Sequence, residues 1–338
     1  MWSSLSQRLL TLLQLTRMAL VFTAVADGLC TVLLSAAARA EVNRTSLNAQ
    51  VDVRQVLAAA AVSVGLYGFG MSLNDIIDRR RDQQISPTRP LPSGRVGLVA
   101  AHVICGLLIA LALAAGSYYA VLTHDWRSVM LVAWTAGLIA FYDLAGKYLV
   151  ALGLLSLGLI RFFHALVPDP TVPVLWHPLW LLNHVAILST VAYHWEEKRP
   201  PLRKHHVWAV AGGLVAINAM LVALLAAERP EGNLLQKLRV GPGLLPPIVA
   251  TLAFIAIAWR VRRRSETSRE AGQKLMLYGL LWLIVYDAAF VAGYVRNPLA
   301  TVGVLLLLPV AYLSVQLMRW WSKLVALSHP PSFKRART

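Results

Sequence analysis

Apolar stretches long enough to cross a bilayer recur from one end of this chain to the other, with short polar segments between them. They fall near 17–38, 55–73, 97–121, 127–144, 148–167, 174–193, 206–227, 243–261, 275–295 and 299–319. A bilayer core takes about 20 residues of helix and leaves no lipid-facing backbone group to be satisfied by water. The pattern therefore predicts an all-α membrane protein, a bundle of nine to ten transmembrane helices. No soluble domain, low-complexity linker or clear internal repeat interrupts it.

Composition agrees. Of 338 residues, 57% are hydrophobic and 14% charged, against roughly 25% charged in soluble domains. A net charge of +16 would suit nucleic acid if it were gathered on one face, but most basic residues lie between the apolar runs. That is the distribution of cytoplasmic loops beside an anionic leaflet. With the N-terminus in the cytoplasm, the loops on that side hold Arg79, Arg80, Arg81, Arg89 and Arg95, then Lys147, then Lys198, Arg199, Arg203 and Lys204. They continue with the run from Arg260 to Lys274 and a tail with Lys323, Lys334, Arg335 and Arg337. The opposite loops are poorer, and Pro168-Asp169-Pro170 has no basic residue. The expectation is an integral protein of the inner (plasma) membrane with both termini cytoplasmic. It forms a single domain over 1–338: core 15–295, an additional C-terminal helix at 299–319 and a basic tail at 320–338. Membrane lipids are its expected surroundings, with no nucleic-acid partner and no evident protein partner.

Cys30 and Cys105 sit inside apolar runs and read as small packing residues. The stretch from Met18 to Ala38 is longer than the ~7–15 apolar residues of a signal peptide core, so it reads as a retained first helix despite the Ala38-Arg39-Ala40 triplet after it.

The chemistry concentrates at Asn74-Asp75-Ile76-Ile77-Asp78-Arg79-Arg80-Arg81-Asp82, where the second apolar stretch ends. Asn74, Asp78 and Asp82 are spaced i, i+4, i+8, and Asp75, Asp78 and Asp82 i, i+3, i+7, so both sets fall near one helical face. An arbitrary Asp/Arg run would be a solvated helix end. Hard oxygen donors at this spacing also suit Mg²⁺, which binds through a few carboxylates plus substrate phosphates. Arg79 and Arg81 suit the phosphates. The segment Ser86-Pro87-Thr88-Arg89-Pro90-Leu91-Pro92-Ser93-Gly94-Arg95 follows, and its prolines and glycine predict a fixed turn into the next helix.

The pattern Asn-Asp-x-x-Asp-x-x-x-Asp followed by Arg89-Pro90-Leu91-x-Ser93-Gly94 resembles the UbiA-type intramembrane prenyltransferases. The resemblance implies a helical bundle around a central cavity open sideways to lipid. It also implies Mg²⁺ bound through Asn74 and Asp78, with Asp75 and Asp82 in support, holding an isoprenoid diphosphate. Lys147, in Tyr142-Asp143-Leu144-Ala145-Gly146-Lys147, would contact the diphosphate, and Tyr142 would line the reacting centre. Asp78, Asp82, Lys147 and Tyr142 are the expected catalytic residues. Arg79, Arg81, Arg89, Arg161, Lys198 and Arg199 are the expected substrate contacts.

Arg161 lies inside an apolar run, where an arginine faces a cavity or a carboxylate. Asp143 and Asp27 are both possible partners, and Asp287 is a further intramembrane acid. At the end of the sixth helix, where the resemblance implies a second aspartate-rich motif, this chain has Tyr193-His194-Trp195-Glu196-Glu197-Lys198-Arg199 and no aspartate. Glu196 and Glu197 are then candidate ligands of a second Mg²⁺. Alternatively, the basic residues that follow neutralise the phosphates there.

The expected function is Mg²⁺-dependent transfer of a prenyl group from a prenyl diphosphate to a lipophilic or aromatic acceptor. Two other readings stay open: an altered member that binds isoprenoid phosphates without transferring them, and a secondary transporter using its intramembrane acids and Arg161.

Overall fold

The structure, a computed structural model, describes residues 4–171, 173–228 and 238–328. Most of the 228–242 loop lies outside them, as do Lys334, Arg335 and Arg337 of the expected tail. Among the described residues every regular element is helical. The helices are α1 (Ser4–Leu15), α2 (Val21–Asn43), α3 (Leu47–Gln50), α4 (Val53–Ile77), α5 (Arg79–Ile85), α6 (Leu98–Thr123) and α7 (Arg127–Leu144). They continue as α8 (Val150–Leu166), α9 (Trp176–Trp195), α10 (Lys204–Glu228), α11 (Leu245–Arg264), α12 (Ser268–Phe290), α13 (Pro298–Leu305) and α14 (Leu307–Ser328).

Each expected span has a helix. Eight are long and apolar enough to cross a membrane by themselves; α8 is shorter, and α9 is diluted by three histidines. The differences from the sequence reading lie in short polar elements. α1 precedes the first span and is cut from it at Arg17, whose backbone is left-handed with φ 47°. The final helix runs past 319 to Ser328.

An inner ring of α2, α4, α7, α8, α9 and α12 surrounds the interior, with α2 the most buried. α6, α10, α11 and α14 pack outside it and turn residues such as Leu107, Val215, Leu252 and Leu313 outward. In water such an apolar surface would drive association; in lipid it is the solvated face. Lipid also removes the hydrophobic force between helices, so close packing must come from small residues that let backbones approach. Gly65 of α4 lies so near α6 that a Cβ there would stand 2.7 Å from Ala112 N and from Leu108 O. Gly158 of α8 faces Leu182 O of α9, 2.6 Å from where its Cβ would be. Gly65→Ala must therefore push α4 from α6, and is expected to cost about 1–3 kcal/mol, read as a lower melting temperature in detergent; an unchanged value would mean the pair is looser than described.

Candidate functional site

The site is assembled from four segments at one end of the bundle. α4 ends at Asp78, a single turn residue, and α5 begins at Arg79. The break does not spoil the spacing. Asp78 N bonds to Asn74 O at 2.9 Å, Asp82 N to Asp78 O at 2.8 Å and Ser86 N to Asp82 O at 2.8 Å. The i−4 ladder thus carries helical register across the turn, which keeps Asn74, Asp78 and Asp82 stacked.

The proline-rich segment forms the expected turn. Gly94 has φ +75°, a backbone that side chains rarely adopt. Ser93 Oγ donates to Pro90 O at 3.2 Å, and Arg95 Nη2 donates to Thr88 O at 2.6 Å. Leu91 and Val96 are buried with Leu15 of α1. This packing directs Arg89 back to Asp82, with which it is ion-paired, and to within 3.8 Å of Asp75.

The other cations arrive from far along the chain. Arg17 Nη2 donates to Asp75 Oδ1 at 2.9 Å. Lys147, in a tight turn between α7 and α8, donates from Nζ to Asp78 Oδ1 at 2.7 Å. That turn is seated by Gly153, whose Cβ would lie 2.4 Å from Gly146 O. Asn74 Nδ2 donates to Asp143 Oδ1 at 2.8 Å. Arg17 and Asp143 therefore join the cluster without having been among the expected site residues.

Tyr142 is half-buried and lies within electrostatic range of Asp143, Asp78, Tyr193 and Arg17. Arg79 is half-buried and Arg81 exposed, and neither forms an ion pair among the described residues. Arg95, outside the spans, has its pKa lowered because burial disfavours its charge.

Of its two possible carboxylate partners Arg161 takes Asp27 on α2 rather than Asp143 on α7. Its Nη1 donates to Asp27 Oδ2 at 2.5 Å and its Nη2 to Thr23 Oγ1 at 2.8 Å. Asp27 is fully buried. Nearby, His177 Nε2 lies 2.7 Å from Asp287 Oδ1, and Cys30 Sγ sits 3.5 Å from Asp287 O. Among the described residues, Cys30, His177 and Asp287 are the one group of three such side chains whose ligand atoms come within 4.8 Å of one another. This polar knot ties α2, α9 and α12 together; neither spacing nor composition pointed to it.

The 194–199 segment is arranged differently. Lys198 Nζ lies 3.3 Å from Glu196 Oε2, and Glu196 is packed beside Gly272 of α12. Glu197, Lys198, Arg199 and His194 line a separate cavity of about 660 Å³, in which Glu196 takes no part. Lys198 thus belongs both to the ion pair with Glu196 and to the lining of this cavity. Tyr193 links the two regions, being within range of both Tyr142 and Arg81.

The donor set at 74–82 fits Mg²⁺. It offers only hard oxygens, each ion pair described engages one oxygen of its carboxylate, and Mg²⁺ needs only one or two carboxylates beside water and phosphate. The carboxylates are splayed onto their cations, so no three of these residues bring a carboxylate oxygen each within 4.8 Å of one another.

Fold and site together define an integral membrane protein, an all-α bundle with a cation-paired acidic cluster at one end. Residues 29–168 match the sequence model of the UbiA prenyltransferase family. A solved structure described as giving insights into the biosynthesis of digeranylgeranylglyceryl phosphate synthase in membranes is similar at 19% identity. The match covers 86% of this chain and all of that one, with TM-score 0.59. A UbiA homolog from Aeropyrum pernix K1 is similar at 17% identity over 82% of this chain and 97% of that one, with TM-score 0.51. At such identities the likeness is one of fold. No curated protein matches in sequence. The chain is thus similar to the UbiA prenyltransferase family in sequence over 29–168, and shares over most of its length the fold of these solved membrane proteins.

Proposed function

We propose that the chain transfers a prenyl group from an isoprenoid diphosphate to a lipophilic or aromatic acceptor within the membrane, in a Mg²⁺-dependent reaction. The observation that carries this reading is the convergence of Asn74, Asp75, Asp78 and Asp82 with Arg17, Arg89 and Lys147, drawn from four segments. Alternating hard oxygens and fixed cations are complementary to a metal–diphosphate, in which both signs of charge alternate likewise.

Asn74 and Asp78 would hold Mg²⁺, with Asp75 and Asp82 in support. Bound there, Mg²⁺ supplies Lewis-acid neutralisation of a diphosphate leaving group. Lys147, Arg89 and Arg17 face the same oxygens and supply the charge clamp, preorganised by their carboxylates. Tyr142 presents an aromatic face beside them, suited to a developing allylic cation. At 194–199 Lys198 and Arg199, which line one cavity, are favoured as anion contacts over a second metal held by Glu196 and Glu197, because Glu196 is already paired with Lys198. Arg79 and Arg81 remain candidate phosphate contacts at the rim. The cluster then faces the cytoplasm, by the distribution of basic loops.

The test is incubation of purified protein in detergent with labelled farnesyl or geranylgeranyl diphosphate and a panel of lipophilic and aromatic acceptors. Diphosphate release that needs Mg²⁺ and falls to background with EDTA is the expected result. Tight Mg²⁺-dependent binding with no release for any acceptor would replace this reading with that of an isoprenoid-phosphate binding protein.

A further inference from the structure

The C-terminal hairpin, to which the motif resemblance at 74–95 does not extend, forms one wall of the candidate site. A cavity of about 770 Å³ lies between α1, the turn at Arg89-Pro90, α12 and α14. Its lining includes Arg17, Arg89, Arg319 and Lys323 against a single carboxylate, Asp75. Arg319 and Lys323 are spaced i, i+4 on α14 and share a face. Both are exposed, and neither forms an ion pair among the described residues. Beside these charges the cavity is apolar, with Leu20, Leu277, Val315 and Met318.

This wall is tied to the motif. Gln14 Nε2 donates to Ser322 Oγ at 3.0 Å, and Arg95 Nη1 donates to Gln14 Oε1 at 3.1 Å. One side chain of α1 thereby joins α14 to the turn that positions Arg89. Cations that merely snorkel at a helix end need only the general lipid surface. Here two of them share one cavity with two arginines of the metal–diphosphate cluster, and an apolar surface adjoins all four.

A cationic rim over an apolar lining, at the end of a membrane helix, is complementary to an anionic amphiphile. Paired guanidinium and ammonium groups match a phosphate monoester, which carries close to two charges and three acceptor oxygens. We propose that α14 supplies Arg319 and Lys323 as the binding site for a lipid phosphate, whose head sits among the four cations and whose chain runs along Leu277 and Val315. That this lipid is the acceptor rests on the transferase reading above; the binding site itself does not.

The test uses the full chain in detergent and measures binding of oleoyl lysophosphatidate, oleoyl lysophosphatidylcholine and inorganic phosphate. Lysophosphatidate is expected to bind at least about tenfold tighter than either of the others, since it alone offers both charge and chain. Arg319→Gln with Lys323→Gln should weaken it roughly 10- to 30-fold. The charge-preserving Arg319→Lys with Lys323→Arg should keep it, which separates lost charge from lost structure. Equal binding of the zwitterionic lipid or of free phosphate, or indifference to the double glutamine variant, would overturn the proposal. Mg²⁺-dependent binding of farnesyl thiodiphosphate is measured alongside and should be unchanged in the double glutamine variant. If that analogue fails to bind while lysophosphatidate still binds through Arg319 and Lys323, the transferase reading falls and the lipid-phosphate site stands.

Discussion

Asp78→Ala is expected to lower prenyl transfer by about 10²–10³-fold while leaving the bundle folded. Asp78 caps α4 at the break before α5, so its side chain is half-buried and supports no core packing. It does two things in the site. It holds Lys147 Nζ at 2.7 Å, and under the proposed function it would offer its second oxygen to Mg²⁺ together with Asn74. Its removal frees the lysine and takes a hard ligand from the clamp, so leaving-group neutralisation is lost twice over. Asp78→Asn keeps the shape and a hydrogen-bond acceptor for Lys147 but loses the charge. It should show the same loss in rate, together with a higher Mg²⁺ concentration for half-maximal activity. Turnover left intact in the alanine variant would remove Asp78 from the metal site and with it the central assignment made here.

The second large effect is on stability. Arg161→Met is expected to destabilise the protein by about 3–5 kcal/mol, because it strands a buried carboxylate without its cation. Asp27 is fully buried and its other oxygen has no hydrogen-bond partner among the described residues. His164 Nδ1, at 3.7 Å, is too far to replace the guanidinium. Thermal unfolding in detergent measures the loss. Asp27→Asn combined with Arg161→Gln should recover most of it, since neutral amides can bond to each other at the same place. The single variant also separates two roles for Arg161. If stability is unchanged and only the KM for prenyl diphosphate rises, Arg161 acts on substrate rather than holding α2 to α8.

The spans were legible because lipid imposes a length and a polarity on each of them, independent of neighbours. α1 and α3 escaped that logic. Both are short, and α1 is amphipathic, so neither has the uniform apolar run by which a span is recognised. The break at Asp78 was equally invisible, since the i−4 ladder persists through it and the spacing reads as one helix. The turn at 86–95 was predicted from its prolines and glycine, because those residues act through their own backbone conformation.

The acidic half of the site was readable for a related reason. Asn74, Asp75, Asp78 and Asp82 are brought together by local helical geometry alone. Their cations were only partly readable. Arg89 and Lys147 entered through the resemblance, whereas Arg17 reaches Asp75 across 58 positions of chain. Arg161 had two candidate acids, and the choice of Asp27 over Asp143 depends on which helices are neighbours in the ring.

By itself, then, the sequence determined the class of protein, the apolar helices and the acidic motif at 74–82, since each of these follows from bilayer thickness or from contacts within a few residues. Tertiary structure alone decided which cation meets which carboxylate, that Cys30, His177 and Asp287 form a buried knot, and that the last helix walls the candidate site. Those outcomes depend on helix neighbours and rotations. In lipid these are set by small-residue packing and by buried polar pairs, which leave little periodic trace along the chain.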